Sequence, residues 1–230
     1  MTITLYELTG RDDRRFSPYC WRTRMALAHK GLDYETVPVR FTDKDQIAFS
    51  GQKRVPVLRD GDTVVSDSWT IACYLEDTYT DTPSLFGCAA GRGLARFLNA
   101  WTDGTLHAAL IRLVLADILE HVDPADRDYF IESRSARFGS PPEAVQTRSD
   151  ADLARFAAAV GTLRTALDGQ PFLCGDAPAY GDYIVFGAFA WARAISDFKL
   201  LETDDPVYLW RDRLLGLFGG MPRQARGYDV

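Results

Sequence analysis

Three short segments within the first seventy residues combine residue types that can hold or activate a small molecule. Residues 17–20 read Ser-Pro-Tyr-Cys, with Ser17 at an N-cap position and proline at the first position of a predicted helix. Val55-Pro56 begins a predicted strand, and Asp67-Ser68 begins a second helix, whose first N–H groups favour a carboxylate. Together these segments could bind an extended ligand that carries a carboxylate.

Each segment also has an ordinary structural explanation when it is taken alone. Ser17 and Asp67 can be simple helix caps, and Pro56 can be an edge-strand proline, because proline has no N–H to donate to a ladder. If the Val55–Pro56 bond is cis, the Val55 N–H and C=O would face outward and could pair with an extended peptide. The chemistry therefore depends on whether the fold brings the three segments together.

The elements that must position these segments follow the order β-α-β-α-β-β-α over the first eighty residues. Strands are predicted at Ile3–Leu8, Tyr34–Val39, Val55–Arg59 and Thr63–Ser66. Helices are predicted at Pro18–Lys30, Asp43–Ser50 and Asp67–Thr78. The β-α-β start implies a parallel pair of strands, and the turn at residues 60–62 adds an antiparallel hairpin to the same sheet.

The rest of the chain is predicted to be helical. We place the first domain at residues 1–80, a linker at 81–91 and a second domain at 92–230. Helices of the second domain are predicted at Arg92–Glu120, Pro124–Phe138, Glu143–Leu167, Asp182–Ile195 and Pro206–Phe218. The fold class is thus a small α/β domain followed by an all-α domain.

Composition and charge exclude several classes of function. The 230-residue chain has a net charge of −6 and scattered Lys and Arg residues, which argues against a nucleic-acid partner. Its four cysteines form no C-x-x-C pair, so we predict neither a metal site nor a disulfide framework, and we expect reduced thiols in the cytoplasm. The apolar stretch 183–192 is too short to cross a membrane, and the N-terminus has no signal-peptide pattern.

Taken together and in this order, the three segments and the strand pattern resemble the thioredoxin-like domain of the cytosolic glutathione transferases. The helical second domain resembles theirs as well, including the helix start at 175–182, where Ala179 replaces the usual capping serine and Asp182 is retained. The charged loop Thr9–Phe16 and the segment 129–146 are similar to the bacterial β-etherase class and its fungal etherase-like relatives. The resemblance implies a serine-type, homodimeric enzyme with glutathione as its co-substrate.

The resemblance also implies how the glutathione thiol is activated. Ser17 would donate its hydroxyl hydrogen to the sulfur while accepting an N–H of its own helix, since a hydroxyl is both donor and acceptor. That bond, helped by the positive end of the helix, would favour the thiolate and lower the pKa of the thiol. Val55 would pair with the backbone of the cysteine of the tripeptide, and Pro56 belongs to the same binding segment.

The charged ends of glutathione are assigned in the same way. Ser68 would take the γ-glutamyl carboxylate, with helix N–H groups beside it, and Asp67 would meet the γ-glutamyl ammonium. Arg54 would bind the glycine carboxylate, with Lys53 and Lys44 behind it, because arginine can hold a carboxylate in bidentate fashion. Lys53 and Arg54 could equally be a solvated basic pair.

The electrophile would bind against the second domain. Candidate lining residues are Tyr19, Leu110, Leu113 and Trp191, although side chains of these types are more often part of a core. An apolar, aromatic pocket suits an aryl ether whose carbon is attacked with loss of a phenolate. Two alternatives stay open: a non-catalytic protein that binds glutathione or hydrophobic ligands, and a Cys20-dependent thiol transferase, since residues 17–20 resemble the Cys-Pro-Tyr-Cys motif of glutaredoxins.

Overall fold

The computed structural model describes residues 2–230, and the N-terminal part of the chain is built on a four-stranded sheet. The strands are β1 (Ile3–Leu8), β2 (Tyr34–Val39), β3 (Val57–Asp60) and β4 (Thr63–Ser66). They lie in the order β2-β1-β3-β4, with β1 parallel to β2 and antiparallel to β3. This confirms the predicted mixed sheet. The prediction was wrong about where β3 begins, because Val55 and Pro56 precede the ladder.

Two α-helices pack against the sheet and against each other. They are α1 (Pro18–His29) and α2 (Ser68–Thr78). The core between these layers includes Leu5 of β1, Met25 of α1 and Leu75 of α2, all completely buried. The helix predicted at Asp43–Ser50 is a 3₁₀ helix over Lys44–Ser50.

A long helical run leads into the second part of the chain. It consists of α3 (Ala89–Trp101), a π-helical turn (Thr102–Leu106), α4 (His107–Val114) and a 3₁₀ helix (Ala116–Glu120). The prediction of a helical segment at 92–120 is confirmed, although α3 begins inside the predicted linker 81–91. The predicted domain limits stay a prediction.

The remaining helices form the rest of the second domain. They are a 3₁₀ helix (Pro124–Asp126), α5 (Arg127–Phe138), α6 (Pro142–Val145), α7 (Asp150–Ala166), α8 (Tyr180–Ile195), α9 (Pro206–Leu215) and α10 (Leu217–Gln224). The single helix predicted for 143–167 is wrong, since residues 146–149 interrupt it. Gln146 Oε1 accepts the Ala116 N–H at 2.7 Å, and Ser149 then starts α7 in a capping box with Asp152.

The helix α8 is the centre of the second domain, and all of its residues are buried. Near its start, the carboxylate of Asp182 accepts the backbone N–H of Leu173 at 2.8 Å and that of Ala179 at 3.1 Å. It also accepts the indole N–H of Trp210 at 2.8 Å. Ala179 makes no side-chain cap, so Asp182 holds this helix start instead.

Candidate active site

Ser17 occupies the N-cap of α1. Its backbone is extended, with φ −71° and ψ 121°, and its Oγ accepts the Cys20 N–H at 3.2 Å. Only 6% of the residue is exposed. This hydrogen bond uses a lone pair of the hydroxyl and leaves its hydrogen for another acceptor, as the sequence predicts.

The start of α1 is held in place by α8. A Cβ atom added at Gly187 would lie 2.5 Å from the Pro18 carbonyl oxygen, so only glycine allows this approach. The buried Arg22 donates its Nε–H to the Ile184 carbonyl at 3.3 Å. Its Nη2 lies 2.7 Å from Asp103 Oδ1. The second domain therefore fixes the position of Ser17.

Val55-Pro56 is a cis peptide bond immediately before β3. The Pro56 carbonyl accepts the Asp67 N–H at 3.3 Å, which joins this segment to the start of α2. Within residues 2–230, no hydrogen bond to protein uses the N–H or C=O of Val55. These two backbone groups are thus free for a ligand.

Asp67 and Ser68 form the start of α2. Asp67 has a positive φ of 75°, and its Oδ1 accepts the N–H groups of Trp69 at 3.1 Å and Thr70 at 3.0 Å. Ser68 is buried, and its carbonyl accepts the hydroxyl hydrogen of Tyr180 at 2.7 Å. The structure therefore brings the second and third predicted segments together and ties the start of α2 to α8.

The three basic residues predicted beside this site differ in their exposure and in their contacts. Lys53 and Arg54 are exposed. Lys44 is engaged with α5, since its Nζ donates to Tyr129 Oη at 2.9 Å and lies 4.3 Å from the centre of that ring. Of the three, Arg54 stands next to the free backbone of Val55.

An aromatic cluster faces the start of α1. Tyr19, 36% exposed, meets the ring of His107 edge-on at 5.7 Å, and His107 meets Trp191 at 5.8 Å. Burial, with the charges of Arg22 and Arg137, lowers the pKa of His107 to about 3, so its ring is neutral at pH 7. Partial burial, with the charge of Asp103, raises the pKa of the Tyr19 phenol, which stays protonated.

Two predicted pocket residues lie elsewhere. Leu110 and Leu113 on α4 have no exposed surface and are part of the continuous core of the chain. A side chain without exposed surface does not line an open pocket, so the structure places both in the core. Tyr19 and Trp191 remain beside the start of α1.

Cys20 lies one helical turn inside α1 and is buried. Burial, with the charge of Glu7, raises the pKa of its thiol to about 12, so it is uncharged at neutral pH. A thiol in this state is a poor nucleophile.

Several residues of this region were missed by sequence reasoning. Arg22 and Asp103 form a partly buried ion pair, whereas Asp103 alone resembles a surface carboxylate. Asp126 accepts the N–H groups of Phe41 at 2.9 Å and Thr42 at 3.1 Å, which fixes α5 on the loop after β2. Neither interaction has a short sequence motif that could reveal it.

An open cavity of about 570 Å³ lies apart from these residues. Its lining comes from the β1–α1 loop, the end of the run after α4 and the start of α5: Arg11, Asp12, Arg14, Leu119, Glu120, His121 and Arg127. None of the predicted site residues contributes to it.

Residues 2–230 contain neither a metal cluster nor a membrane-spanning helix. No group of three or more His, Cys, Asp or Glu side chains is arranged to hold a metal ion. No helix in this part of the chain has the length and apolar character needed to span a membrane.

Comparisons with known proteins agree with this architecture. Family models for the glutathione S-transferase N-terminal and C-terminal domains match residues 16–78 and 93–205. Glutathione S-transferase Z1 of Arabidopsis thaliana is 45% identical over 69 residues, which are 28% of this chain and 31% of that protein. The match thus spans about a third of the length of this relative.

Solved structures are similar over nearly the whole chain. Glutathione transferase GSTFuA2 from Phanerochaete chrysosporium has a TM-score of 0.77 at 26% identity, and the alignment covers 97% of this chain and 95% of that one. The glutathione S-transferase CsGST63524 of Ceriporiopsis subvermispora, solved in complex with glutathione, has a TM-score of 0.83 at 23% identity, over 95% and 97%. The predicted fold, a thioredoxin-like domain followed by an all-α domain, is therefore confirmed.

Proposed function

This chain belongs to the glutathione S-transferase superfamily, and we propose that it transfers glutathione to a hydrophobic, aromatic electrophile. The observation that carries the proposal is the N-terminus of α1, where Ser17 Oγ caps the helix and keeps its hydrogen for a further acceptor. Glutathione supplies the sulfur nucleophile, and the residues of this chain hold and activate it.

Ser17 is the proposed activating residue. A hydrogen bond from its hydroxyl to the sulfur stabilises the thiolate more than the thiol, which lowers the pKa of the glutathione thiol. A hydrogen bond to a charged group contributes about 1.5–3 kcal/mol, which corresponds to about one to two pKa units. The N-terminus of α1 adds a smaller contribution of the same sign.

The remaining residues hold the tripeptide in an extended form. The free N–H and C=O of Val55 support pairing with the cysteine backbone, as in an added strand. Asp67 uses Oδ1 for its own helix, whereas its Oδ2 makes no hydrogen bond within residues 2–230 and suits the γ-glutamyl ammonium. Ser68 and the first N–H groups of α2 would receive the γ-glutamyl carboxylate.

The electrophile would lie against Tyr19 and Trp191. Both rings contact His107, whose neutral imidazole adds no charge to this wall. For an aryl ether, a carbon–sulfur bond would form as the carbon–oxygen bond breaks, and the bonding electrons would leave on the phenolate. Water would then supply the proton of the released phenol.

Incubation of the protein with glutathione and a β-aryl ether tests this proposal. We expect a glutathione adduct and one equivalent of phenol, both detected by chromatography. Conjugation of a halogenated nitrobenzene without phenol release would support a general transferase and exclude the ether-cleaving activity. Binding of glutathione without turnover of either substrate would favour a non-catalytic binding protein.

The proposed assembly is a homodimer. Leu94 and Phe97 on α3 are each 67% exposed, and α3 carries both on the surface of a single copy. Large exposed apolar side chains that lie together mark an interaction surface. Sedimentation analysis of the Phe97→Asp variant should give a monomer where the wild type gives a dimer. A monomeric wild type would contradict this part of the proposal.

We also propose a cytoplasmic location. All four cysteines, Cys20, Cys73, Cys88 and Cys174, are free thiols in the structure. Unpaired cysteines suit a reducing compartment, where disulfides are rare. Cell fractionation of the native protein would test this location.

A further inference from the structure

The open cavity beside the β1–α1 loop has three arginines in its wall: Arg11, Arg14 and Arg127. Two belong to the loop, and Arg127 is the first residue of α5. The loop is joined to the second domain here, since the Arg11 N–H donates to the His121 carbonyl at 2.8 Å. A Cβ atom added at Gly10 would lie 2.3 Å from the same carbonyl oxygen, so only glycine allows this contact. The fold therefore brings three arginines from two domains to the wall of one cavity.

Two of these arginines are held by backbone carbonyl groups. The half-buried Arg14 donates from Nη1 to the Ala194 carbonyl at 2.5 Å, and its guanidinium lies 5.5 Å from the centre of the Tyr228 ring. Arg127 donates from Nη1 to the Leu119 carbonyl at 2.9 Å. Neither side chain makes a further hydrogen bond within residues 2–230. Because a guanidinium has five N–H donors, both groups are fixed in position and can still bind an anion.

The positive charge of this wall is not neutralised by the protein. In the described part of the chain, no carboxylate oxygen lies within 4.0 Å of any of the three guanidinium groups. The wall also contains Asp12 and Glu120, both exposed, and Asp12 lies 3.9 Å from Arg226 instead. Burial lowers the pKa of His121, so its ring is neutral at pH 7. The wall is therefore net positive, although the whole chain carries a net charge of −6.

The size and polarity of the cavity indicate a small, polar ligand. Its volume of about 570 Å³ is typical of a small-molecule site. Leu119 is the one apolar residue among those that line it, so the cavity does not suit a hydrophobic compound.

We propose that this cavity binds a small dianion, either a phosphate ester or a dicarboxylate, through Arg14 and Arg127. A guanidinium can donate two parallel hydrogen bonds to a phosphate or a carboxylate, which gives such a site its preference for these groups. The site is separate from the candidate active site, because neither Ser17, Val55 nor Asp67 lines the cavity. The inference does not depend on the proposed function.

Calorimetry at constant, low ionic strength tests the site with three probes: phosphate, succinate and acetate. We expect phosphate or succinate to bind with a Kd of about 1 mM or lower, and acetate, a monoanion, at least roughly tenfold more weakly. The tighter of the two dianions indicates whether the ligand is a phosphate ester or a dicarboxylate. Each titration is repeated with excess glutathione, which should leave the affinity for the dianion unchanged.

Arg127→Met should weaken binding of the dianion roughly 10- to 100-fold, because a charge-assisted hydrogen bond is lost. Arg127 is exposed, so the variant should fold normally. Arg127→Lys keeps the charge but not the planar fork and should show an intermediate loss. Arg213→Met is the matched control: Arg213 is also exposed and held by a carbonyl, that of Pro171 at 3.2 Å, but lies outside the cavity wall. It should bind the dianion as the wild type does.

Three results would overturn the inference. The first is that neither phosphate nor succinate binds to the wild type. The second is an equal affinity in the wild type and Arg127→Met, or an equal loss in Arg127→Met and Arg213→Met, which would indicate only a general effect of net charge. The third is displacement of the dianion by glutathione, which would place it in the glutathione site instead of this cavity.

Discussion

The starts of α1 and α8 solve the same physical problem in opposite ways. Each helix begins with N–H groups that have no partner inside the helix. At α1, the small hydroxyl of Ser17 accepts a single N–H, at 3.2 Å, and the site next to it is left for a ligand. At α8, the buried carboxylate of Asp182 accepts N–H groups from the helix start, from the preceding loop and from Trp210.

The difference separates a helix start that serves stability from one that serves binding. The donors around Asp182 come from three parts of the second domain, and its carboxylate is fully buried. The carboxylate of Asp182 is therefore not available to a ligand. The hydroxyl of Ser17 keeps its hydrogen, and the fold positions it from outside, through the close contact of Gly187 with Pro18. Substitutions at the two starts should therefore affect different measurements.

The largest effect is expected from Asp182→Ala. Loss of the carboxylate would leave several buried N–H groups without an acceptor, which costs about 3–5 kcal/mol of the free energy of unfolding. Urea denaturation followed by circular dichroism would measure it. Asp182→Asn keeps one acceptor oxygen and should lose clearly less. A loss below about 1 kcal/mol would mean that the network around this carboxylate contributes little.

Ser17→Ala should change activity far more than stability. Without the hydroxyl, the pKa of bound glutathione should rise by about one to two units, and the conjugation rate at neutral pH should fall roughly 10- to 100-fold. The helix cap itself is worth only about 1 kcal/mol. The ultraviolet absorbance of the thiolate, titrated in the complex, would measure the pKa of bound glutathione. In Ser17→Thr, which keeps a hydroxyl, most of the lowering of this pKa should be retained. An unchanged pKa in Ser17→Ala would show that Ser17 does not activate the thiol.

Gly187→Ala tests whether α8 positions the start of α1. The added methyl group would meet the Pro18 carbonyl oxygen at 2.5 Å, so the backbone must move, at a cost of about 1–3 kcal/mol. We expect a lower conjugation rate together with a lower melting temperature. Gly161→Ala on α7 is the control, because its Cβ meets no atom within 4 Å and should stabilise the helix by up to about 1 kcal/mol. Equal changes of conjugation rate and melting temperature in Gly187→Ala and Gly161→Ala would contradict the proposal that α8 positions the start of α1.

Local signals in the sequence were sufficient for most of the fold. The β-rich runs at residues 3–8, 34–39 and 63–66 placed three strands with correct limits, because this signal depends on neighbouring residues alone. The break at residues 146–149 was not predictable in the same way. It depends on Gln146 bonding to the start of the 3₁₀ helix after α4, thirty residues away, and helical periodicity continues across it.

The same distinction between local signals and long-range packing applies to the candidate site. Ser17 as a cap followed from a short motif, whereas the joining of Val55-Pro56 to Asp67-Ser68 was implied only by the family resemblance. The burial of Leu110 and Leu113 followed from neither, because the apolar spacing of a helix is the same whether it faces a pocket or a core.

The smallest effect is expected in the chemical labelling of Cys20, which lies one helical turn after the Ser17 cap. Since burial raises the pKa of its thiol to about 12, the thiolate fraction stays negligible between about pH 6 and pH 9. Iodoacetamide labelling, followed by mass spectrometry, should find Cys20 unmodified in the native protein across this range. The exposed Cys88 should be labelled under the same conditions. Labelling of Cys20 at a rate similar to that of Cys88 would instead make α1 the start of a thiol-exchange site and favour the thiol-transferase alternative.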